Sequence, residues 1–436
     1  MKRILLACFL IGVCLFTGCT RIDVVGEVEN PKEPPQEEVI YKGKEIKEMK
    51  IVNLTEKNET EICIDYSINS YEPIQNFGYE LFALNTEEDN PVVSPVSAYL
   101  ALALAGKGAE GETKEAFFTV MQDLEGIPYD LMQGLPKVEE GMLITLNNSA
   151  WVDYHLSPKE DWLAWADSIY GAEVYHASLG AENTYKTMNK WIEEKTKGMI
   201  DKLYEEPLSK DARLVLLNTL YFKGKWANPF EKHNTYEDIF TLENGSTENV
   251  EMMNKGRSHL LYVKDEVAEG VILPYQDEDM VFMALKPVGE ENVREMYEKL
   301  TVESINAMME QEETTLCNLK LPKFEVEFHK ELNDSLKQMG LEIAFMDGLA
   351  DFSGIGVPDD ADNMYIEKVQ QKSKIIVDEE GTEAAAVTSV EMFRCTSAYN
   401  PEQPVEVYFD EPFLYMIMDR ERKVPLFIGI MDNPRK

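Results

Sequence analysis

The residues of this 436-residue chain that could do chemistry are few, and most point away from catalysis. Gly106-Lys107-Gly108-Ala109-Glu110-Gly111 fits the GxGxxG spacing, which cradles a pyrophosphate when it follows a strand and opens a helix. Here it follows an Ala/Leu-rich helical pattern, so it reads as a loop that ends a helix. His155, His176, His233, His259 and His329 show neither HExxH spacing nor a partner in a GxSxG elbow. Cys8, Cys14, Cys19, Cys63, Cys317 and Cys395 are too few and too scattered for a disulfide framework or a CxxC metal site. Carboxylate pairs such as Glu379-Glu380 are commonplace among 80 acidic residues. No catalytic residue, metal or cofactor is therefore expected, and the chain does not read as an enzyme.

The segment that looks deliberate is mechanical. Ile375 to Val377 is branched and strand-like, Asp378-Glu379-Glu380-Gly381 interrupts it, and a run of small residues follows. Side chains alternate across a strand, so its two faces can be read separately. Thr382, Ala384, Ala386, Thr388, Val390 and Met392 form one uncharged face, whereas Glu383, Ala385, Val387, Ser389, Glu391 and Phe393 hold both glutamates. The segment is thus written as a strand with one buried face. Yet Arg394-Cys395-Thr396-Ser397-Ala398-Tyr399-Asn400-Pro401 follows directly, with the polar, proline-bearing composition of an exposed loop. From pattern alone, an ordinary strand and long turn fits equally well.

A second witness is resemblance. Glu379-Glu380-Gly381-Thr382-Glu383-Ala384-Ala385-Ala386 is similar to the hinge of inhibitory serpins, the serine protease inhibitor superfamily. Asn90-Pro91-Val92-Val93-Ser94-Pro95-Val96-Ser97, Leu217-Asn218-Thr219-Leu220-Tyr221-Phe222-Lys223-Gly224-Lys225-Trp226, Leu321-Pro322-Lys323-Phe324, Ala350-Asp351-Phe352-Ser353-Gly354 and Pro425-Leu426-Phe427-Ile428-Gly429 resemble serpin segments, in serpin order. The resemblance implies about nine helices packed on three mostly antiparallel sheets, with an exposed reactive-centre loop. It also implies a metastable inhibitor: a protease cuts the loop, the loop inserts into the central sheet, and the protease stays attached as an acyl-enzyme. The family's commonest loop length, fourteen residues beyond Gly381, implies Cys395 as the specificity residue and Cys395-Thr396 as the scissile bond, for an elastase-like serine protease. With a loop one residue shorter, Arg394 takes that role and trypsin-like enzymes become the targets; cysteine proteases are a further class of partner. Ser94, Ser97, Asn218, Trp226 and Lys323 match positions that control sheet opening, Lys323 as the partner of Glu379. Gln371 stands where many serpins place a sheet-opening His. A non-inhibitory serpin acting as a binding or chaperone-like protein is the alternative; such relatives carry bulky or charged hinge residues, and this chain does not.

The elements that must position these residues alternate between helical and strand periods, without an internal repeat. Ser94-Pro95 predicts a helix start, Tyr185, Met188, Trp191 and Ile192 share a helical face that stops at Gly198, and Leu332, Leu336 and Met339 share another stopped by Gly340. The short branched or aromatic runs 214–222, 282–285, 319–328, 374–377, 414–418 and 426–431 predict strands. Helices mostly first and strands mostly last predict an α+β fold.

Lys2 and Arg3 before an apolar run from Ile4 to Phe16 read as a signal peptide over residues 1–18. Leu15-Phe16-Thr17-Gly18-Cys19 resembles a bacterial lipoprotein signal, which implies lipidation at Cys19; ordinary cleavage and release is the alternative. Residues 19–65, with Pro31, Pro34, Pro35 and many glutamates, read as a flexible tether leading into a single folded body over 66–436. A membrane is reached only through that lipid, in the extracytoplasmic space or at the cell surface. The formal net charge of -38 repels phosphate backbones and excludes nucleic acid as a partner. The expected state is a monomer.

Overall fold

The computed structural model describes residues 51–55, 68, 70–311, 313–360, 363–382 and 403–436. The expected signal peptide, Cys19 and most of the tether lie outside the described residues, as do Cys63, hinge residues Glu383, Ala384, Ala385 and Ala386, and Arg394, Cys395 and Thr396.

Nine α-helices stand among the described residues: α1 (Glu72–Ala83), α2 (Pro95–Gly106), α3 (Gly111–Met121), α4 (Gly126–Gly134), α5 (Glu160–Ser168), α6 (Glu182–Lys195), α7 (Val293–Lys299), α8 (Val302–Met309) and α9 (Asn333–Leu336). None is long and apolar enough to cross a membrane. α2 starts where expected: the Ser94 hydroxyl accepts from the Ser97 amide, and Pro95 at the first helical position lacks an N–H that would go unpaired anyway. Nearly every residue of α2 is buried, as a helix that is apolar all round must be. The GxGxxG segment joins the end of α2 to the start of α3, so it is the helix-ending loop that was expected. Gly106 and Gly108 serve packing, since a Cβ on Gly108 would lie 2.0 Å from the Ile355 side chain and one on Gly106 2.7 Å from Phe117. The predicted Leu332 helix is shorter than its pattern: α9 makes one turn, a wider turn follows over Lys337–Leu341, and Gly340 sits at φ +114°.

The first sheet holds β1 (Val52–Asn53), β3 (Lys137–Glu139), β4 (Met142–Asp153), β5 (Ala172–Ala177), β6 (Leu214–Lys225), β12 (Phe324–Glu331), β13 (Gln370–Val377) and β14 (Gly381–Thr382). Its order is β1-β5-β4-β6-β14-β13-β12, with β3 beside β4. Val52–Asn53, within the stretch read as tether, thus adds a strand to the sheet edge beside β5. The remaining strands are β2 (Val92–Val93), β7 (Thr235–Thr241), β8 (Thr247–Lys264), β9 (Ala268–Pro274), β10 (Met280–Pro287), β11 (Thr315–Pro322), β15 (Val405–Tyr408), β16 (Phe413–Asp419) and β17 (Val424–Met431). They run β15-β11-β8-β9-β10-β16-β17-β2, with β7 beside β8. β8 belongs to two ladders: it pairs with β7 and β11 up to Leu260 and with β9 from Leu261 onward. Counting those ladders separately gives three sheets, antiparallel except at β4·β5 and β11·β15. The predicted strand 319–328 is two strands that break at Lys323, whose amide turns to Glu251 O.

The principal core lies under the first sheet, where α2 packs among residues of β6, β10, β13, β16 and β17. Trp226 stacks on Tyr275 with ring centroids 4.8 Å apart, and Phe282 meets Trp226 edge-on at 5.6 Å and stacks with Tyr415 at 6.0 Å. On the sheet's other face, α6 lays Met188, Trp191 and Ile192 against Trp151 and Leu217. Phe282 is fully buried in this aromatic stack. Phe282→Ala is therefore expected to lower the unfolding free energy by about 3–5 kcal/mol in denaturant titrations, and a loss under about 1 kcal/mol contradicts the packing described.

Candidate functional site

Among the described residues, the first sheet is incomplete at its centre. β4 pairs with one edge of β6 from Met142↔Gly224 to Val152↔Leu214. The other edge of β6 is paired at two positions, Lys225↔Gly381 and Gly224↔Thr382. β13 likewise pairs with β12 along its length, and among the described residues its inner edge pairs only with Thr382, at Val377. Between residues 214–222 and 370–376 lies a cavity of about 1310 Å³, with Thr382 at its hinge end. Leu214, Leu216 and Leu220 pack against the principal core yet stay half-buried, because no described strand covers them on that side. Unpaired strand edges of this kind are templates for another strand.

The hinge is seated at one end of this slot. Asp378 Oδ1 accepts from the amides of Glu380 (2.8 Å) and Gly381 (3.2 Å), which turns the chain out of β13. The carbonyls of Glu379 and Glu380 accept from the amides of Phe230 (2.8 Å) and Trp226 (2.9 Å), and the Trp226 indole donates to Asp378 O at 2.9 Å. Gly381 has to be glycine, since a Cβ there would sit 2.0 Å from Gly224 O. The hydroxyls of Thr382 and Tyr275 lie 2.6 Å apart, both buried, and burial pushes the Tyr275 phenol far up, so it remains protonated.

Two lysines hold the hinge glutamates. Lys323 Nζ lies 3.2 Å from Glu379 Oε2, the pairing expected from the sequence, and Lys232 Nζ lies 2.7 Å from Glu380 Oε1. Burial raises the Glu379 carboxyl, but hydrogen bonds and Lys323 outweigh it, and the group ends below the usual glutamate range. Burial dominates at Asp378 and raises its carboxyl.

The positions matched to sheet-opening control line the same cavity but fall on its two sides. On the β13 side, Gln371 Oε1 accepts from Ser94 N–H and Gln371 Nε2 donates to Ser94 O, both at 2.8 Å. Gln371 therefore ties β13 to the start of α2, which Ser94 and Ser97 form. On the β6 side, Asn218 Nδ2 donates to Asn148 Oδ1 at 2.7 Å, and Asn148 donates to Tyr170 O at 2.7 Å. Asn218 Oδ1 is buried with no hydrogen-bond partner among the described residues. Trp226 and Lys323 stand at the hinge end instead. Sequence reasoning missed Tyr275, Phe230, Lys232 and Asn148, which come from the residue after β9, the stretch between β6 and β7, and β4, and carry no spacing signal that links them to the hinge.

Comparison with known proteins decides the family: the model for "Serpin (serine protease inhibitor)" matches residues 72–434. The chain is a serpin. It is 30% identical over 373 residues to an alpha-1-antitrypsin-like protein of Tamias sibiricus, covering 82% of this chain and 86% of the relative. Among solved structures, this serpin is similar to the thermophilic serpin tengpin in its native state, with a TM-score of 0.80, 32% identity, and coverage of 88% of this chain and 100% of that one. The same relative in its latent state gives a TM-score of 0.72 at 30% identity, over 84% of this chain and 99% of that one. The expected α+β serpin fold is thus borne out.

Two outcomes follow for this serpin. Gln371→Ala strands the buried amide of Ser94, whose carbonyl keeps the Ala98 amide at 3.1 Å, so denaturant titration is expected to show a loss of about 1–3 kcal/mol at a site where an exposed Gln would lose almost nothing. Glu379 has a lowered pKa in the folded chain, so its ionised form stabilises the fold above the ordinary glutamate range, and that contribution fades as pH falls through the folded value. Glu379→Gln should therefore melt below the wild type at pH 7, with the gap closing below about pH 4; a gap independent of pH contradicts the role of the Lys323 pair.

Proposed function

We propose that this serpin is an irreversible suicide-substrate inhibitor of serine proteases. The observation that carries the reading is the slot: two inner strand edges unpaired, with Gly381 and Thr382 already in register at one end. Continuing that register residue by residue sets Ala384 beside Phe222 and Ile375, Ala386 beside Leu220 and Ser373, and Thr388 beside Asn218 and Gln371. The uncharged face of the segment would then point toward the principal core, as Thr382 does. The Thr388 hydroxyl would reach the position where Asn218 Oδ1 has no donor.

The chemistry begins as ordinary proteolysis. The protease serine attacks the carbonyl of Cys395, or of Arg394 in the shorter register, and the amine of the following residue leaves, so an ester joins inhibitor to enzyme. Freed at one end, the segment enters the slot, forming sheet hydrogen bonds at about 0.5–1.5 kcal/mol net each, or roughly 10 kcal/mol over a dozen residues. The enzyme is dragged along and deformed before water can hydrolyse the ester. Small side chains at Ala384 and Ala386 let the strand enter quickly, which matters because trapping races deacylation. Cys395 suits an elastase-like pocket and Arg394 a trypsin-like one, with cysteine proteases as further partners. The lipoprotein-like start supports a place at the cell surface, anchored through Cys19.

The test incubates the purified ectodomain with elastase-like, trypsin-like, subtilisin-like and papain-like proteases. Denaturant-resistant covalent complexes are expected with at least one serine protease, and mass spectrometry of the released peptide identifies the cut bond. Ala384→Glu would bury an unpaired charge between Phe222 and Ile375 at a cost of several kcal/mol. It should turn the inhibitor into a substrate, cleaved without a stable complex; complexes formed in wild-type yield by that variant contradict insertion.

A further inference from the structure

At the end of the slot away from the hinge, the turn after β4 meets the segment that leads into β13. Leu156 bridges to Pro358, and the Asp359 amide donates to His155 O at 2.8 Å. This pairing brings a ring nitrogen of His155 and carboxylate oxygens of Asp359 and Asp360 within 4.8 Å of one another. Arg213, the residue before β6, grips Asp360 through Nε at 3.1 Å and Nη2 at 2.6 Å.

Two features set this group apart from a chance acidic cluster. The first is the imidazole's orientation. His155 Nδ1 lies 2.6 Å from Oδ1 of Asp153, whose carboxylate is buried and also accepts from the amides of His155 (3.1 Å) and Leu179 (3.1 Å). A ring that donates Nδ1–H to a fixed carboxylate leaves its Nε2 lone pair for a ligand, and this carboxylate–histidine arrangement recurs behind metal-bound imidazoles. The second is charge. Asp153, Asp359 and Asp360 against Arg213, with the imidazole neutral, sum to two negative charges. An ionised carboxylate has about four lone-pair sites, so Asp360 can serve both the guanidinium and a cation.

We infer that His155, Asp359 and Asp360 form a three-ligand site for a divalent transition-metal cation of the zinc type, with Asp153 positioning the imidazole. One imidazole nitrogen, two carboxylates and no thiolate suit zinc, with water in the fourth position. Bond lengths of about 2.0–2.2 Å put tetrahedral ligand atoms roughly 3.3 Å apart, and the exposed side chain of Asp359 can close in by rotating toward His155 and the Asp360 carboxylate that Arg213 holds. The cation would join the end of β4 to the segment entering β13 and so brace the two sides of the slot. Spacing could not show this, because His155 and Asp359 lie far apart in the chain and neither belongs to a metal motif.

The test titrates the full chain, stripped with EDTA, with zinc chloride in a calorimeter. One site per chain is expected, together with a zinc-dependent rise in melting temperature. His155→Ala and Asp359→Asn should each weaken binding at least tenfold and abolish that rise, and Asp153→Asn should weaken binding by about 10–100-fold. Melting curves in EDTA check that each variant is folded. Asp359 is exposed, so its variant keeps the test decisive should His155→Ala not fold. His233→Ala, whose exposed ring pairs with Glu231, and Cys395→Ser should bind as the wild type does. No binding by the wild type, or binding that survives His155→Ala and Asp359→Asn, or is lost with His233→Ala or Cys395→Ser, overturns the inference.

Discussion

The backbone groups of β6 and β13 that face each other across the central cavity govern everything else in this serpin. In a finished sheet each would be paired, and a buried amide or carbonyl without a partner costs about 1–3 kcal/mol. Among the described residues both strands are paired on their outer edges and open on their inner ones, apart from the contacts of Gly381 and Thr382. These residues therefore frame a vacancy of defined register. Its proposed occupant is the chain that follows Thr382, whose uncharged face suits the core beneath.

Around that vacancy, fixed points surround a movable gap. Gln371 ties β13 to α2 through both backbone groups of Ser94, and Asn148 ties β6 to β4 and to Tyr170. Among the described residues no hydrogen bond joins Gln371 to Asn218, so each side of the slot is braced to its own neighbours. At the hinge, Trp226, Tyr275, Lys232 and Lys323 hold residues 378–382 by indole, hydroxyl and ammonium contacts. Because these contacts converge on one short turn, the hinge is held in a single geometry at the place where insertion would start.

Much of this was legible in the sequence. The alternation after Gly381 marked one face for burial, and Thr382 is buried. The pairing of Lys323 with Glu379 followed from resemblance, as did the placing of Ser94, Ser97, Asn218 and Gln371 around one region. Ser94-Pro95 fixed the start of α2 because a hydroxyl cap and a proline act locally. The long strands β4 and β8 were less readable. β8 is polar at most positions, and its apolar stretch Leu260 to Val263 covers only its last few residues, so its full length does not read as a strand. β4 carries Asn147, Asn148 and Ser149 at its middle, which reads as a turn until Asn218 and Tyr170 are seen to satisfy Asn148. Tyr275 and Lys232 were invisible for a different reason: their partners at the hinge are remote in sequence, and a single Tyr or Lys has no pattern.

The central claim is that the vacancy fills when the loop is cut, and thermal melting of intact and nicked chain tests it most directly. Cleavage confined to the bonds between Arg394 and Ser397 should raise the melting temperature by about 10–15 °C, given roughly 10 kcal/mol from new strand pairing. A nicked chain that melts where the intact one does would mean that the slot stays empty, and the account would be wrong.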